Sequence, residues 1–207
     1  MSSSLPPNPM PKDDPADVKA ALRRQAAAQR QNEARAHPGA AEQLAAHSQL
    51  LIDSFGAGVY AAYMPIRSEI SPLPLIKALQ MAGNQTAMPI TPAEGQPLSF
   101  RIWMIGDPLE DGPYGTRQPV ATEPAVVPDV ILAPLLAFDG AGWRLGYGGG
   151  FYDRTIAAMT TPSHKVRVIG LAYDGQKLDK VPIGPYDMPL DAVLCPSGLH
   201  RPQPSPK

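Results

Sequence analysis

The stretch that decides the fold is Val130-Ile-Leu-Ala-Pro134-Leu-Leu-Ala-Phe138-Asp-Gly140-Ala-Gly-Trp-Arg144-Leu-Gly146-Tyr-Gly-Gly-Gly150-Phe-Tyr152-Asp-Arg154. Val130 to Ala133 is a continuous apolar run with β-branched residues at its start, which reads as a strand covered on both faces. Phe151 to Met159 reads as a helix. Between them, Gly140 to Gly150 holds six of the chain's 18 glycines. Such a segment can bring its backbone close to an anion and aim N–H groups at a phosphate beside a helix N-terminus. It is not a Walker A loop, because no Gly-Lys-Ser/Thr follows. It also lacks the third glycine of a Rossmann fingerprint and the acidic strand end about 20 residues on. An ordinary crossover loop accounts equally well for glycine density alone.

Working outward, Val166 to Tyr173 and Ala192 to Cys195 read as further strands. Upstream, Val59 to Tyr63 is a short apolar run between turn signals. Ser71-Pro72 opens a helix through about Met81, and Thr86 to Ile90 and Leu98 to Met104 read as strands. Gly106 to Pro128 is expected to be a long Pro/Gly loop. Asp14 can cap a first helix that begins at Pro15, favoured by Asp17, and runs to about Ala36, before His37-Pro38-Gly39. A second helix is expected from Ala40 to Ser54, with Leu44, Leu50, Leu51 and Phe55 at helical spacing. Strands alternating with helices indicate an α/β fold with a mainly parallel, covered sheet.

Composition bounds the class. Of 207 residues, 26 are proline, against a usual share of roughly 5%. Pro6, Pro7, Pro9, Pro11 and Pro15 crowd the start, and Pro196, Pro202, Pro204 and Pro206 the end. Residues 1–14 and 196–207 are therefore expected to be Pro-rich flexible tails around one domain over 15–195. A hydrophobic share of 43% excludes a wholly disordered chain. A net charge of −1 gives no global field to recruit nucleic acid or an anionic membrane. Val130 to Phe138 is too short to span a bilayer, and Met1 to Pro15 has no apolar signal region. The single cysteine, Cys195, excludes an internal disulfide. The expectation is a soluble, cytoplasmic monomer with a small-molecule substrate.

Charged residues flank the glycines. Arg144 and Arg154 bracket the loop, and Arg can clamp phosphate bidentately. Asp153 could hold Mg2+, or could simply answer the helix dipole. Asp187 and Asp191 precede the last strand, as site residues or as solvated turn acids. Lys19, Arg23, Arg24, Arg30 and Arg35 against Asp17 and Glu33 make the first helix basic, which reads as a solvated face or as a phosphate clamp through Lys19 and Arg23, four apart. The histidines have no metal spacing, and Cys195 reads as a core thiol.

Together these features resemble the 5-formyltetrahydrofolate cyclo-ligase family. The resemblance is carried by Lys19-x-x-x-Arg23, Tyr63-Met64-Pro65-x-x-x-Glu69-Ile70, Arg144-Leu-Gly-Tyr-Gly-Gly-Gly-Phe-Tyr-Asp-Arg154 and Asp187-Met-x-x-Asp191. It implies a three-layer αβα sandwich, Rossmann-like, and ATP- and Mg2+-dependent cyclisation of 5-formyltetrahydrofolate to 5,10-methenyltetrahydrofolate. It implies ATP binding by Lys19, Arg23, Arg144, Gly146, Tyr147, Gly148, Gly149, Gly150, Phe151 and Tyr152, with Arg144 and Tyr152 catalytic. Phe151, where the family often has Tyr, supplies packing and no hydroxyl. It implies substrate contacts from Met64, Glu69, Tyr114, Tyr147 and Tyr152, and Mg2+ held by Asp153 and Asp187. Two other classes remain open on residues alone. One is a sugar-phosphate isomerase or acyl transferase using the glycine loop for phosphate. The other is an RNA-binding module using the basic first helix, whose binding would be strongly salt-dependent.

Overall fold

The computed structural model describes residues 15–161 and 165–203. The expectations placed on residues 1–14, on His164 and on Pro204 and Pro206 lie outside them. The helices are α1 (Pro15–Ala36), α2 (Ala40–Ala46), α3 (Ser48–Phe55), α4 (Leu73–Met81) and α5 (Phe151–Met159). The first strands are β1 (Val59–Ala61), β2 (Gln85–Ile90), β3 (Ser99–Ile102), β4 (Leu109–Asp111), β5 (Arg117–Pro119), β6 (Ala125–Val126) and β7 (Val130–Pro134). Then come β8 (Ala137–Asp139), β9 (Arg144–Leu145), β10 (Arg167–Leu171), β11 (Lys177–Leu178), β12 (Ala192–Cys195) and β13 (Gly198–His200).

The main sheet has the order β13-β12-β10-β7-β1-β2-β3-β6. The run from β12 to β2 is parallel, and β13, β3 and β6 are antiparallel edges. Strand β7 sits at the centre, with Val130 opposite Tyr60 on one side and Arg167 on the other. Its continuous apolar run divides between two cores, because successive side chains point to opposite faces. Val130 and Leu132 join Leu44, Leu51, Leu75 and Leu79 under α2, α3 and α4. Ile131 and Ala133 join Ile156 of α5 on the other face. A sheet with helices on both faces is a three-layer α/β/α arrangement, as expected.

Four local expectations are corrected. The second helix breaks at His47, which ends α2 and starts α3. Its Nε2 lies 3.0 Å from the Pro196 carbonyl oxygen, a tertiary contact that helical spacing cannot reveal. The long loop after Gly106 contains the β4–β5 hairpin, with Glu110 opposite Gln118. The segment after Cys195 is not a tail through its first part: β13 pairs antiparallel with β12, Leu199 facing Leu194. Prolines flank that strand without entering it, so proline density conceals it. Finally, Arg30 does not sit on a solvated helix face. It is 2% exposed.

Candidate active site

The C-terminal ends of β7 and β1, the loop before α5 and the inner face of α1 converge. That is where ligands gather in open parallel sheets. Gly150 is the N-cap of α5 with φ 65, and no side chain caps this helix end. The first-turn N–H groups of such a helix end present positive potential. A Cβ at Gly148, where φ is +101, would stand 3.4 Å from the Arg23 guanidinium carbon. Glycine there lets the cation close on the loop, and Arg23 Nε donates to the Gly146 carbonyl at 3.1 Å.

A cavity of about 200 Å³ lies over this loop, lined by Lys19, Arg23, Arg144, Gly146, Tyr147, Gly148, Gly149, Gly150, Phe151, Tyr152, Asp153 and Asp187. Arg144, 5% exposed, is ion-paired with Asp153 at 2.7 Å and donates to the Met188 carbonyl at 2.8 Å. Asp153 Oδ1 also accepts the Met188 N–H at 3.0 Å. Lys19 Nζ donates to Asp187 Oδ2 at 2.8 Å, and the same oxygen accepts the Gly184 N–H. Partial burial opposes ionisation of Asp187, but the Lys19 ammonium, the Gly184 N–H and the Arg144 charge outweigh it and hold its carboxyl below the usual range. Asp191 is drawn elsewhere: it pairs with Arg167 at 3.0 Å and accepts the Val168 N–H.

A second cavity of about 450 Å³ adjoins the first, lined by Tyr63, Met64, Glu69, Tyr114, Tyr147 and Tyr152 among others. Pro134, Tyr147, Gly149, Phe151 and Tyr152 line both. The first cavity has cations, carboxylates and peptide N–H groups, which suit an anion and a hard divalent ion. The second is mostly aromatic and apolar, which suits a flat heteroaromatic ring. Tyr114, with φ 60, sits at the tip of the β4–β5 hairpin, 6.1 Å from the Phe151 ring.

Glu69 is the buried anion of the second cavity. Its Oε2 accepts the Ile66 N–H at 2.9 Å and its Oε1 accepts the Tyr147 hydroxyl at 3.0 Å. Burial pushes its carboxyl up, opposed by the Ile66 N–H, Arg30, Tyr147 and Arg67. Burial also pushes the Tyr147 phenol up to about 12, and the Tyr152 phenol further. These phenols are protonated donors at neutral pH.

Every residue proposed from sequence for ATP, substrate or metal lines one of the two cavities. Tyr63, quoted in the motif that carries the resemblance, also lines the second cavity; sequence reasoning missed Arg67, Thr116 and Arg117 there, and Arg30 behind it. A signal for Arg30 exists: Lys19, Arg23, Ala26 and Arg30 follow i, i+4, i+7, i+11 spacing, so they share one face of α1. A further cavity, about 920 Å³, lies apart, between the Gly140–Trp143 turn and Arg201–Gln203. Asp174, Cys195 and His200 also stand apart from the two adjoining cavities, with ligand atoms within 4.8 Å of one another. The Cys195 thiol is fully buried, which pushes its pKa up and keeps it protonated.

The arrangement is that of an α/β enzyme in which a cavity of cations, carboxylates and peptide N–H groups abuts an aromatic cleft. The 5-formyltetrahydrofolate cyclo-ligase family model matches residues 15–196. A 5-formyltetrahydrofolate cyclo-ligase of Escherichia coli K12 is 34% identical over 146 residues, 68% of this chain and 79% of that protein. One of Haemophilus influenzae is 33% identical over 153 residues, 72% of this chain and 81% of that protein. The solved 5,10-methenyltetrahydrofolate synthetase of Aquifex aeolicus superposes with a TM-score of 0.73 at 25% identity, covering 92% of this chain and 95% of that one. The chain belongs to the 5-formyltetrahydrofolate cyclo-ligase family. Among the described residues, no helix is long and apolar enough to cross a membrane.

Proposed function

We propose that the chain converts 5-formyltetrahydrofolate to 5,10-methenyltetrahydrofolate, with ATP as co-substrate and Mg2+ bound, releasing ADP and phosphate. The observation that carries this reading is the shared wall. Pro134, Tyr147, Gly149, Phe151 and Tyr152 border both the cation- and glycine-lined cavity and the aromatic one. A phosphoryl group in the first and a formyl group in the second would meet there. The family's relatives and its solved neighbour bear names for this conversion. A monomeric enzyme in a cytoplasmic setting belongs to the same proposal.

The formyl carbon is amide-like and a poor electrophile. Transfer of the γ-phosphoryl group of ATP to the formyl oxygen would turn that oxygen into a leaving group and release ADP. N10 would then bond to the formyl carbon and lose its proton, and phosphate would depart with the oxygen. No covalent nucleophile from the protein is required. Lys19, Arg23 and Arg144 would bind and orient the phosphate chain, and the N–H groups of Gly148 to Phe151 would meet the charge developing on the transferring group. Bound Mg2+ would neutralise phosphate charge, held by Asp153 and Asp187. Met64, Tyr114 and Tyr152 would enclose the pterin and exclude water from the activated carbon, while Glu69 would accept its N–H donors.

The test is direct. Purified protein should generate the ultraviolet absorbance of the methenyl product from 5-formyltetrahydrofolate only when ATP and Mg2+ are both present. No absorbance change with fresh substrate, or turnover without nucleotide, would sink the reading.

A further inference from the structure

Behind the aromatic cavity lies a charged side chain that the proposed chemistry does not use. Arg30 of α1, 2% exposed, spends its fork on three loop segments. Its Nε donates to Ser68 Oγ at 3.2 Å and its Nη1 to the Leu135 carbonyl at 3.3 Å. Its Nη2 donates to the Tyr147 hydroxyl, and its guanidinium carbon lies 5.3 Å from the centre of that ring. Nη1 is also 3.7 Å from Glu69 Oε1, an ion pair whose members are 2% and 4% exposed. A hydroxyl that accepts from Arg30 has its own proton free to point elsewhere, and Tyr147 points it at Glu69. Donor and direction are both set by the arginine.

We infer that Arg30 is a positioning residue of the folate cavity: it aligns the Tyr147 hydroxyl on Glu69 and pairs with the Glu69 carboxyl group, which would accept the pterin N–H groups. This rests on the reading of the cavity given under Proposed function. Removing the partner of a buried ion leaves an uncompensated charge, and a carboxylate escapes that state by taking a proton. Lysine could keep the charge but not the planar five-donor fork that reaches Ser68, Leu135 and Tyr147 together.

The sign of the effect follows from the groups around Glu69. Burial drives its carboxyl up, and the Ile66 N–H, Arg30, Tyr147 and Arg67 pull it down. Tyr63, Tyr147 and Tyr152 also face it, all held far above neutrality, so none of them titrates near it. Glu94 lines the same cavity, and Tyr173 feels the charges of both Arg30 and Glu33. Loss of the Arg30 charge therefore lets Glu69 protonate at higher pH.

The experiment measures the pH dependence of KM for 5-formyltetrahydrofolate, and of substrate binding without nucleotide, in the wild type, Arg30→Gln and Arg30→Lys. An opposite charge within about 4–6 Å is worth roughly one to three pH units. The acid limb of Arg30→Gln should move up by about one unit or more, and Arg30→Lys should return it toward the wild type. A folded Arg30→Gln with an unshifted limb overturns the inference. If that variant does not fold, Tyr147→Phe carries the test: it removes one donor to Glu69 and should move the same limb upward by less. An unshifted limb there overturns the inference equally. A wild type that neither turns over nor binds the substrate sinks the functional reading itself. Normal wild-type turnover with unshifted limbs sinks the role of Arg30 alone.

Discussion

Arg144 and Asp153 illustrate how single residues here have two duties. Arg144 is 5% exposed and needs an anion, and Asp153 supplies one at 2.7 Å. The proposal that Asp153 also holds Mg2+ asks the same carboxylate to serve a second cation, leaving Arg144 free to turn toward phosphate. Asp153→Asn keeps the shape and removes the charge. Its turnover should fall at least about a hundredfold, and half-maximal rate should need more Mg2+ than in the wild type. Full activity with an unchanged Mg2+ titration would refute the metal role. The titratable residues of this site were named from four separate motifs, Lys19 to Arg23, Tyr63 to Ile70, Arg144 to Arg154 and Asp187 to Asp191, through their resemblance to a family. Arg30 was not assigned: its spacing puts it on the face of α1 that carries Lys19 and Arg23, but burial of that face depends on what packs against it.

Elements show where patterns suffice and where they fail. Strand β7 and helix α5 are bounded by strong local signals: a β-branched apolar run, and a glycine before an amphipathic turn. The hairpin β4–β5 is short, polar and rich in turn residues, so its strands lack alternation. Pairing of Glu110 with Gln118 and of Asp111 with Arg117 defines it, and it is what delivers Tyr114 to the aromatic cavity. Strand β13 was hidden among prolines. It covers the edge of β12, and its His200 packs beside Phe138 with ring centres 6.0 Å apart. Ending the chain at Pro196 should expose that edge and remove the Arg201 contact over the Phe55 ring. The truncated protein should melt several degrees lower and scatter light on warming. An unchanged melting temperature would mean that β13 adds nothing to the fold.

At the scale of the molecule, the two cavities lie at the same end of the same sheet, on strands that cannot move apart without breaking the core. Ligand binding should therefore stabilise the whole fold. A ligand at about a hundred times its Kd adds roughly 2.7 kcal/mol, worth about 5–11 °C in a domain of this size. Differential scanning fluorimetry with 5-formyltetrahydrofolate should show a rise of that order. No shift at saturating concentration would argue against binding in the cavity. The sequence by itself determined the α/β class and the succession of the main strands and helices, because these are written in local pattern and composition, while the candidate site residues came from the resemblance of four motifs to a family. Tertiary structure alone decided that Arg30 is buried, that His47 breaks a helix, that residues beyond Cys195 close a sheet edge, and that two cavities share one wall. Those outcomes depend on contacts between segments distant in sequence, and burial of a charge or a strand edge is a property of the partner as much as of the residue.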